Sequence, residues 1–594
     1  MSAEKLITDH IAIWTSAVQA KSASGRGSSK KRELYGIKKL RELILELAVR
    51  GKLVPQDPND EPASVLLERI AAEKAQLVKE NKIKKPKKLP EITEDDIPFK
   101  LPEGWTFSRL ENLCELITKG SSPKWQGVSY TENPEDVLFV TSENVGAFEL
   151  LLDKKKYVEK KFNEIEPRSI LRKDDFLMNI VGASIGRTAL YNIDYLANIN
   201  QAVCLIRSFP QQVITRFFLT FFNSLTCVSY MYDKQVENAR PNLSMGNISK
   251  FVIPVPPFNE QHRIVAKVDE LMALCDQLEQ QTEASLDAHQ VLVETLLATL
   301  TNSQDATELM ANWARISEHF DTLFTTEQSI DQLKQTILQL AVMGKLVAQD
   351  PNDEPAAILL ERIAEEKAQL VKEKKIKKQK ALPPITEDEK PFELPSGWEW
   401  ARIFDVSLFS EYGSSEKTVT ELPDGVPVLK MGDIQAGKVI LGEHQVVSSQ
   451  IEDLPNLYLK LGDVLYNRTN SAELVGKTGM FEGEDDVYTF ASYLIRIRCS
   501  FNNLMPEYLN LSMNTPLFRK TQIEPHIKQQ CGQANVNGTL MKSMLVSVPP
   551  VREQARLIAK TKELLSFCDQ LKQRLRDSQQ TQLQLTDAIV EQVL

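Results

Sequence analysis

The segment Gly51 to Ile83, GKLVPQDPNDEPASVLLERIAAEKAQLVKENKI, returns at Gly344 to Ile376 as GKLVAQDPNDEPAAILLERIAEEKAQLVKEKKI, with 28 of 33 positions identical and an offset of 293 residues. The offset persists in Leu101-Pro102-Glu103-Gly104-Trp105 against Leu394-Pro395-Ser396-Gly397-Trp398. It survives a long divergent stretch and reappears in Pro256-Pro257 against Pro549-Pro550, then in Cys275-Asp276-Gln277-Leu278 against Cys568-Asp569-Gln570-Leu571. Two copies are too few and too long for a solenoid, whose repeats run to roughly 20–50 residues. The chain is a tandem duplication in which a preserved frame surrounds a divergent middle, so any fold assigned to one half must serve the other.

The 594 residues leave room for about three to five domains. A hydrophobic share of 42% with 26% charged residues is that of a soluble globular protein with ample core. The amino terminus, MSAEKLITDH, lacks the basic-then-apolar order of a secretory signal, and no run of 18 apolar residues occurs, which points to a cytoplasmic protein with no membrane partner. Seven cysteines (Cys114, Cys204, Cys227, Cys275, Cys499, Cys531 and Cys568) are scattered without C-x-x-C spacing. Such a set reads as reduced cytosolic thiols rather than disulfides or structural zinc. The six histidines form no ligand pair.

The net charge is −10, whereas a nucleic-acid binder normally carries a basic footprint. Charge here is segregated, however, and a global sum then says little. Lys82-Ile83-Lys84-Lys85-Pro86-Lys87-Lys88 and Lys374-Lys375-Ile376-Lys377-Lys378-Gln379-Lys380 are strongly basic, while acid gathers in segments such as Glu270 to Glu283.

In chain order, a short amphipathic segment is followed by the linker-like Ser22 to Ser29. Ile37, Leu40, Leu43, Ile44, Leu47 and Ala48 then recur at three and four, the spacing of an amphipathic helix. Gly51 follows as a left-handed stop. Asp60 or Glu61 is placed to cap a second helix with Pro62 in its first turn. Ala63, Leu66, Leu67, Ile70, Lys74, Leu77 and Val78 make that helix's mostly apolar face, and the lysine run with Pro86, Pro90, Pro98 and Pro102 ends it. Each half thus carries a helical hairpin and a basic, proline-punctuated strap.

From Trp105 to about Phe251, short β-rich runs such as Val137 to Val140 and Ala202 to Ile206 alternate with glycine turns and one apolar helix around Phe217 to Tyr232. The second half repeats the layout with different residues, ending in a helix near Met505 to Lys520. After Val255-Pro256-Pro257 comes a seam of Ile264, Val268, Leu271, Cys275, Leu278 and Thr282, an a/d coiled-coil spacing. About 40 such residues would span roughly 60 Å. Leu557, Thr561, Leu564, Cys568, Leu571 and Leu575 repeat it. The two long helices either pack on each other, which is simplest, or each caps its own globule.

The expected fold is α+β: two mixed α/β globules separated by long paired, coiled-coil-like helices, with internal pseudo-two-fold duplication. The boundaries read as 1–100 for the helical region with hairpin and strap, 101–258 for the first globule, 259–393 for a central helical spacer with the repeated hairpin, 394–550 for the second globule and 551–594 for a final helix.

No active site is legible. Ser471 to Thr478 is one glycine short of a phosphate-binding loop, and its counterpart Ala183 to Thr188 shares just the Gly-basic-Thr turn, so both read as turns carrying a polar contact. Val255-Pro256-Pro257-Phe258 lacks the polar first residue that an amino-methyltransferase motif needs, and reads as a strand exit before a helix. Polar residues instead recur in loops that correspond between halves. Lys119, Ser121, Ser122 and Lys124 lie opposite Ser414, Ser415 and Lys417; Asn179, Ser184 and Arg187 opposite Asn467, Arg468, Asn470 and Lys477; Arg240 and Asn242 opposite Gln530 and Asn535. Side chains of these types contact phosphates and read base edges.

A duplicated chain with two variable globules, each introduced by P-F-x-L-P-x-G-W and closed by V-P-P before a long helix, resembles the specificity subunit of Type I restriction–modification enzymes. The twice-present GKLV-x-QDPNDEPA-x-x-LLERIA block looks most like the IB (EcoAI/EcoEI-like) branch. The resemblance covers nearly the whole chain. It implies that each globule is a target recognition domain reading one half of a bipartite asymmetric DNA site, with the helices setting the spacing. It implies a non-catalytic subunit that docks two modification subunits and, through them, the restriction subunits. S-adenosylmethionine, ATP and Mg2+ are then expected on those partners, with none bound by this chain. The repeated hairpins, expected to expose Leu66, Leu67 and Ile70 with Leu359, Leu360 and Ile363, are the expected docking surface. Two other classes compete. A methyltransferase or nuclease with a degenerate motif would bind S-adenosylmethionine as an isolated chain, and a coiled-coil scaffold whose globules bind protein would be insensitive to DNA sequence and salt.

Overall fold

Gly51 is the first fixed point of the frame. In the computed structural model, which describes residues 3–20, 32–86, 88–209, 214–233, 243–304, 306–530 and 533–594, it stands just past helix α1 (Tyr35–Val49), whose buried face is the expected set from Ile37 to Ala48. Its φ is +67°, and a Cβ there would come within 2.4 Å of the Pro102 ring. Left-handed backbone and close approach together admit glycine alone. The chain forms two units, the first comprising Met1–Ser285 with Ser578–Leu594 and the second Leu286–Asp577.

Helix α2 (Ala63–Lys79) starts without a side-chain cap, contrary to the expected Asp60 or Glu61. The Ala63 amide instead donates to the Gly104 carbonyl at 2.8 Å. Asp60 pairs with Arg263 at 2.6 Å and Glu61 with Arg69 at 2.6 Å. The P-x-G-W turn is thus itself the cap, and its tryptophan is the second fixed point. Trp105 Nε1 donates to Glu260 Oε2 at 3.0 Å, and Gln56 Nε2 donates to Glu260 Oε1 at 2.7 Å. Burial pushes the Glu260 carboxyl above its ordinary range. Lys74, on the expected apolar face, donates Nζ to the Cys114 carbonyl at 2.9 Å and to that of Glu111. Glu260 begins the long helix α3 (Phe258–Asn302).

The first globule is closed at its neck by strand β1 (Thr106–Arg109), which runs antiparallel to the returning strand with Thr106 opposite Val255. Beyond the neck lie β2 (Cys114–Lys119), β3 (Asp175–Asn179), β4 (Thr188–Tyr191) and β5 (Val203–Ser208), in the antiparallel order β2-β5-β3-β4. A second sheet pairs Val137–Val140 in parallel with Ala197–Ile199. Leu138, Val140, Leu177, Ile199 and Leu205 fill the core. β6 (Val252–Val255) leads through Pro256-Pro257 into α3, the expected strand exit before a helix. The helix expected around Phe217 to Tyr232 is two, Thr215–Phe222 and Leu225–Asp233. The break is at Asn223, whose Nδ2 turns back to the Thr188 carbonyl at 2.9 Å.

The second unit builds the same parts. Gly344 follows helix α4 (Glu327–Val342) at φ +68°, 2.5 Å from the Pro395 ring by the same measure. Ala356 opens α5 (Ala356–Lys372) by donating to Gly397 at 2.8 Å. Trp398 donates to Glu553 at 3.0 Å, Gln349 to Glu553 at 3.1 Å, and Arg556 pairs with Asp353 at 2.6 Å. Lys367 donates to the Phe404 carbonyl at 2.7 Å, and burial brings its ammonium down to about 8. The neck is β7 (Glu399–Arg402) against the strand ending at Val548. β8 (Ser407–Tyr412), β9 (Val464–Asn467), β10 (Thr478–Met480) and β11 (Leu494–Cys499) repeat the sheet as β8-β11-β9-β10. β12 (Leu545–Val548) runs into the long helix α6 (Val551–Val593). The helix expected near Met505 to Lys520 is Pro506–Met513, followed by the short turns Pro516–Phe518 and Arg519–Ile523.

Helix α3 runs for 45 residues, about 68 Å, a little longer than the span of about 40 residues expected. Ile264, Val268, Leu271, Cys275 and Leu278 are all buried, as are Leu557, Thr561 and Cys568 on α6. In the first unit, Arg41 of α1 reaches Asp276 at 2.6 Å and Glu279 at 2.7 Å, while Tyr35 Oη donates to Asp587 at 2.7 Å. In the second, Leu297 and Leu300 share one apolar cluster with Leu333, Ile337 and Cys568. Trp14 and Trp313, which align only across a gap of six residues beyond the 293 offset, differ: Trp14 is fully buried, whereas Trp313 is 40% exposed. Among the described residues, no helix is long and apolar enough to cross a membrane. No group of three or more His, Cys, Asp or Glu is placed among them to hold a metal. The six described cysteines are unpaired and buried.

Glu327, at the start of α4, accepts hydrogen bonds from Arg576 at 2.7 and 2.9 Å. With Lys572 also in reach, its carboxyl is held down to about 2. The folded value lies below the unfolded one of about 4.3. The resulting stabilisation is present above the unfolded value and is lost as pH falls towards about 2. Glu327→Gln is expected to melt below the parent at neutral pH, with the gap closing through that acid window. Parallel melts across the window check it, and a gap independent of pH would contradict it.

Candidate nucleic-acid interface

In both globules the aligned loops meet at one end of the main sheet. The end of β2 (Lys119) lies opposite Cys204 at the start of β5, the end of β3 (Asn179) opposite Val203, and β4 starts opposite Met178. The loops 119–127, 179–188 and 199–203 therefore leave from one edge. The Leu243 amide donates to Ile180 at 2.9 Å and brings the chain after Asn242 to the same place. The second sheet does likewise: Tyr412 lies opposite Ile495, Asn467 opposite Leu494 and Thr478 opposite Tyr466. There a small sheet of Thr469–Asn470, Gln533–Asn535 and Lys528–Gln530 joins the loop to the final hairpin.

Glycines permit this convergence. A Cβ on Gly120 would lie 1.9 Å from the Ile199 carbonyl oxygen, and one on Gly413 2.2 Å from that of Phe490. Gly186 and Gly476 turn at φ +93° and +87°, and the threonine after each basic residue is held by a helix-end asparagine. The Thr188 carbonyl accepts from Asn223 at 2.9 Å and the Thr478 carbonyl from Asn514 at 3.1 Å. Both stretches are turns with a polar anchor, as expected.

Lys119, Lys124 and Arg187 are exposed on the first globule, with Ser121, Ser122 and Ser184 half-buried beside them. Ser121 Oγ accepts from Gln126 at 3.0 Å, and the Ser184 carbonyl accepts from the Arg187 amide at 3.3 Å. On the second globule Ser415, Lys417 and Asn535 are exposed, and Asn470 and Lys477 half-buried. Arg468 is fixed in place, its Nε donating to Ser492 at 2.9 Å and its guanidinium lying 5.1 Å from the Tyr412 ring centre.

Three expected readers are corrected. Asn179 and Asn467 are fully buried, and Ser414 is buried with Oγ donating to Asp453 at 2.6 Å. Asn179 Nδ2 donates to Ser142 at 3.0 Å and Val145 at 3.3 Å, inside the globule. Asn179 and Ser414 tie loops together from inside, and none of the three side chains is exposed to a ligand. Arg240 and Asn242 lie outside the described residues; Gln530 is described in its backbone alone. The expected hairpin surface is corrected too. Leu66, Ile70, Leu359 and Ile363 are buried and Leu67 and Leu360 half-buried, with Ile363 and Leu360 packed into the second unit's own core. The apolar stripe of a surface helix is here spent on its own domain.

Tyr412 and Tyr493, which the sequence did not single out, stand beside these loops and are 45% and 48% exposed. The Tyr493 carbonyl accepts from the Arg468 amide at 3.1 Å, and Tyr412 Oη accepts from the Gly538 amide at 2.7 Å.

Residues 102–288 match the family described as the Type I restriction modification DNA specificity domain. The chain is 42% identical over its whole length to the Type I restriction enzyme EcoEI specificity subunit of Escherichia coli, all of which is covered. It is 43% identical to the EcoAI specificity subunit of the same organism, with 100% of this chain and 99% of that one covered. The crystal structure of the HsdS subunit from Thermoanaerobacter tengcongensis aligns with a TM-score of 0.40 at 16% identity, over 84% of this chain and 98% of that one. Full-length identity at this level makes this chain a member of the Type I restriction enzyme specificity subunit family.

Proposed function

We propose that this chain is the DNA specificity subunit of a Type I restriction–modification complex, each globule reading one half of a bipartite asymmetric site. The observation that carries the reading is the gathering of the aligned loops at one end of each sheet, where Lys119, Lys124 and Arg187 in one globule and Lys417 and Lys477 in the other meet solvent. Cations there position phosphates, and neighbouring polar side chains read base edges. The target recognition domains are residues 101–258 and 394–550. The long helices of 259–393 and 551–594 pair as a pseudo-two-fold spacer, since two readers on one face of B-DNA stand about one turn, roughly 34–36 Å, apart. The chain docks two modification subunits and through them the restriction subunits, and is itself non-catalytic. S-adenosylmethionine, ATP and Mg2+ belong to those partners, and the assembly works in the cytoplasm.

The test is methylation mapping in cells that express the chain with its modification subunit, before and after exchange of residues 105–255 for those of a relative. The expected result is adenine methylation in a split motif of which the exchange rewrites one half. A stable complex that methylates without sequence preference would overturn the reading.

A further inference from the structure

Trp125 is 73% exposed, yet nothing beneath it is loose. It stands on a single tight turn, Pro123–Gln126, that begins on a buried proline and is closed by Gly127 in left-handed backbone at φ +65°. The Trp125 amide donates to Ser122 at 3.1 Å and the Val128 amide to Pro123 at 3.0 Å. Gln126 ties the turn down from the other side, donating to Ser121 Oγ at 3.0 Å and Glu166 Oε1 at 2.8 Å. Among the described residues the indole has no hydrogen-bond, ring or cation partner. The backbone beneath the largest apolar side chain of this loop is therefore fixed, and the indole stands in water, with the exposed ammonium groups of Lys119 and Lys124 nearby in sequence.

An aromatic side chain on a fixed turn has only two χ angles to order when it is covered. Base steps offer flat π surfaces, and cations beside the ring meet the phosphates that flank such a step. At the 293 offset the second globule has Thr418, whose hydroxyl is engaged with Gln445 and Lys430. No aromatic stands in that position there.

We propose that Trp125 is a stacking wedge that inserts at a base step of the half-site read by the first globule, with Lys119 and Lys124 on the flanking phosphates. This rests on the DNA-recognition reading above, and adds a specificity-determining residue that acts on DNA shape and stacking rather than by hydrogen bonding. It also makes the two halves of the site unequal, with stacking distortion confined to one.

The experiment uses the full-length chain and duplexes that carry its mapped site, with 2-aminopurine placed at successive positions of each half. Wild type is expected to raise the fluorescence at one step of the first half and at none of the second. Trp125→Ala should abolish that rise and weaken cognate binding by about 10- to 100-fold, and Trp125→Phe should restore most of both. Binding to a scrambled duplex and its salt slope should not change, and an unchanged melting temperature shows that the exposed position leaves folding intact. Wild-type discrimination that Trp125→Ala retains in full, with the fluorescence rise intact, overturns the wedge alone. Loss of modification-subunit binding with DNA discrimination retained also overturns it, and marks the indole as a protein contact. A wild-type chain without any DNA sequence preference overturns the recognition reading and the wedge together.

Discussion

Asp463→Ala is expected to lower the stability of the second unit by about 3–5 kcal/mol, the cost of stranding buried charge. The Asp463 carboxylate is fully buried and takes two bonds from Arg498, at 2.7 and 2.6 Å. It also accepts from the Lys460 amide at 2.9 Å. A second guanidinium, Arg496, lies 3.6 Å away, is 1% exposed, and is further held by Glu411 and by the Asn456 carbonyl at 2.8 Å. Without Asp463, Arg498 and Arg496 face each other across an interior with one carboxylate fewer. The first unit supplies a control. There Asp175 accepts from the Arg172 amide at 2.7 Å and, among the described residues, pairs with one guanidinium, Arg207 at 2.6 Å, and the strand position matching Arg496 is Leu205. Asp175→Ala should therefore cost measurably less. Asp463→Leu combined with Arg498→Met should recover much of the loss, because apolar replacement of both partners removes the desolvation cost with the bond. Denaturant unfolding of the three variants decides it. A loss below about 1 kcal/mol for Asp463→Ala would place the cluster among ordinary surface pairs.

Gly120→Ala is expected to cost about 2–3 kcal/mol, at the high end for single substitutions, and to silence one half of the recognition site. The added Cβ would sit 1.9 Å from the Ile199 carbonyl oxygen and 2.6 Å from that of Asn200, both main-chain atoms. The backbone itself has to move, and with it the turn that presents Lys119 and Lys124. Gly413→Ala meets Phe490 at 2.2 Å and should do the same to the other half. Gly432, with open space at its Cβ, is the neutral comparison, expected within about 0.5 kcal/mol of the parent. Unfolding midpoints and methylation of the split site at a temperature where all variants are folded report the two effects separately. Full methylation by Gly120→Ala would show that this close approach does not set the loop.

The frame was legible in the sequence because it is written twice. Gly51, Gly344, Trp105 and Trp398 stand at one offset, and each meets the same partner in its own unit. The buried seam from Ile264 to Leu278 was legible for a related reason, since spacing alone decides which face of a long helix is covered. The loops that meet were also legible, as aligned polar segments. Which side chains in them face out was not. Asn179 and Asn467 looked like readers by type, yet both end a central strand, where the pleat turns them inward. Leu66 and Ile70 looked like a free stripe because the turn Leu110–Leu113, which their helix meets, lies outside the hairpin. Arg496 sits in a Leu-Ile-Arg-Ile-Arg strand whose alternation would send every second residue out. It stays inside because Asp463 and Glu411 arrive from other strands.

The first unit contains Ser578–Leu594, whose carbonyls and carboxylates engage Tyr35, Arg50 and Lys52. During synthesis those seventeen residues leave the ribosome after the entire second unit. The amino-terminal unit is therefore completed last, and until then the partners of Tyr35, Arg50 and Lys52 have yet to be made. Its contacts are of very high sequence separation, which slows the final closure, and the waiting surface is open to a chaperone or to another copy of the chain.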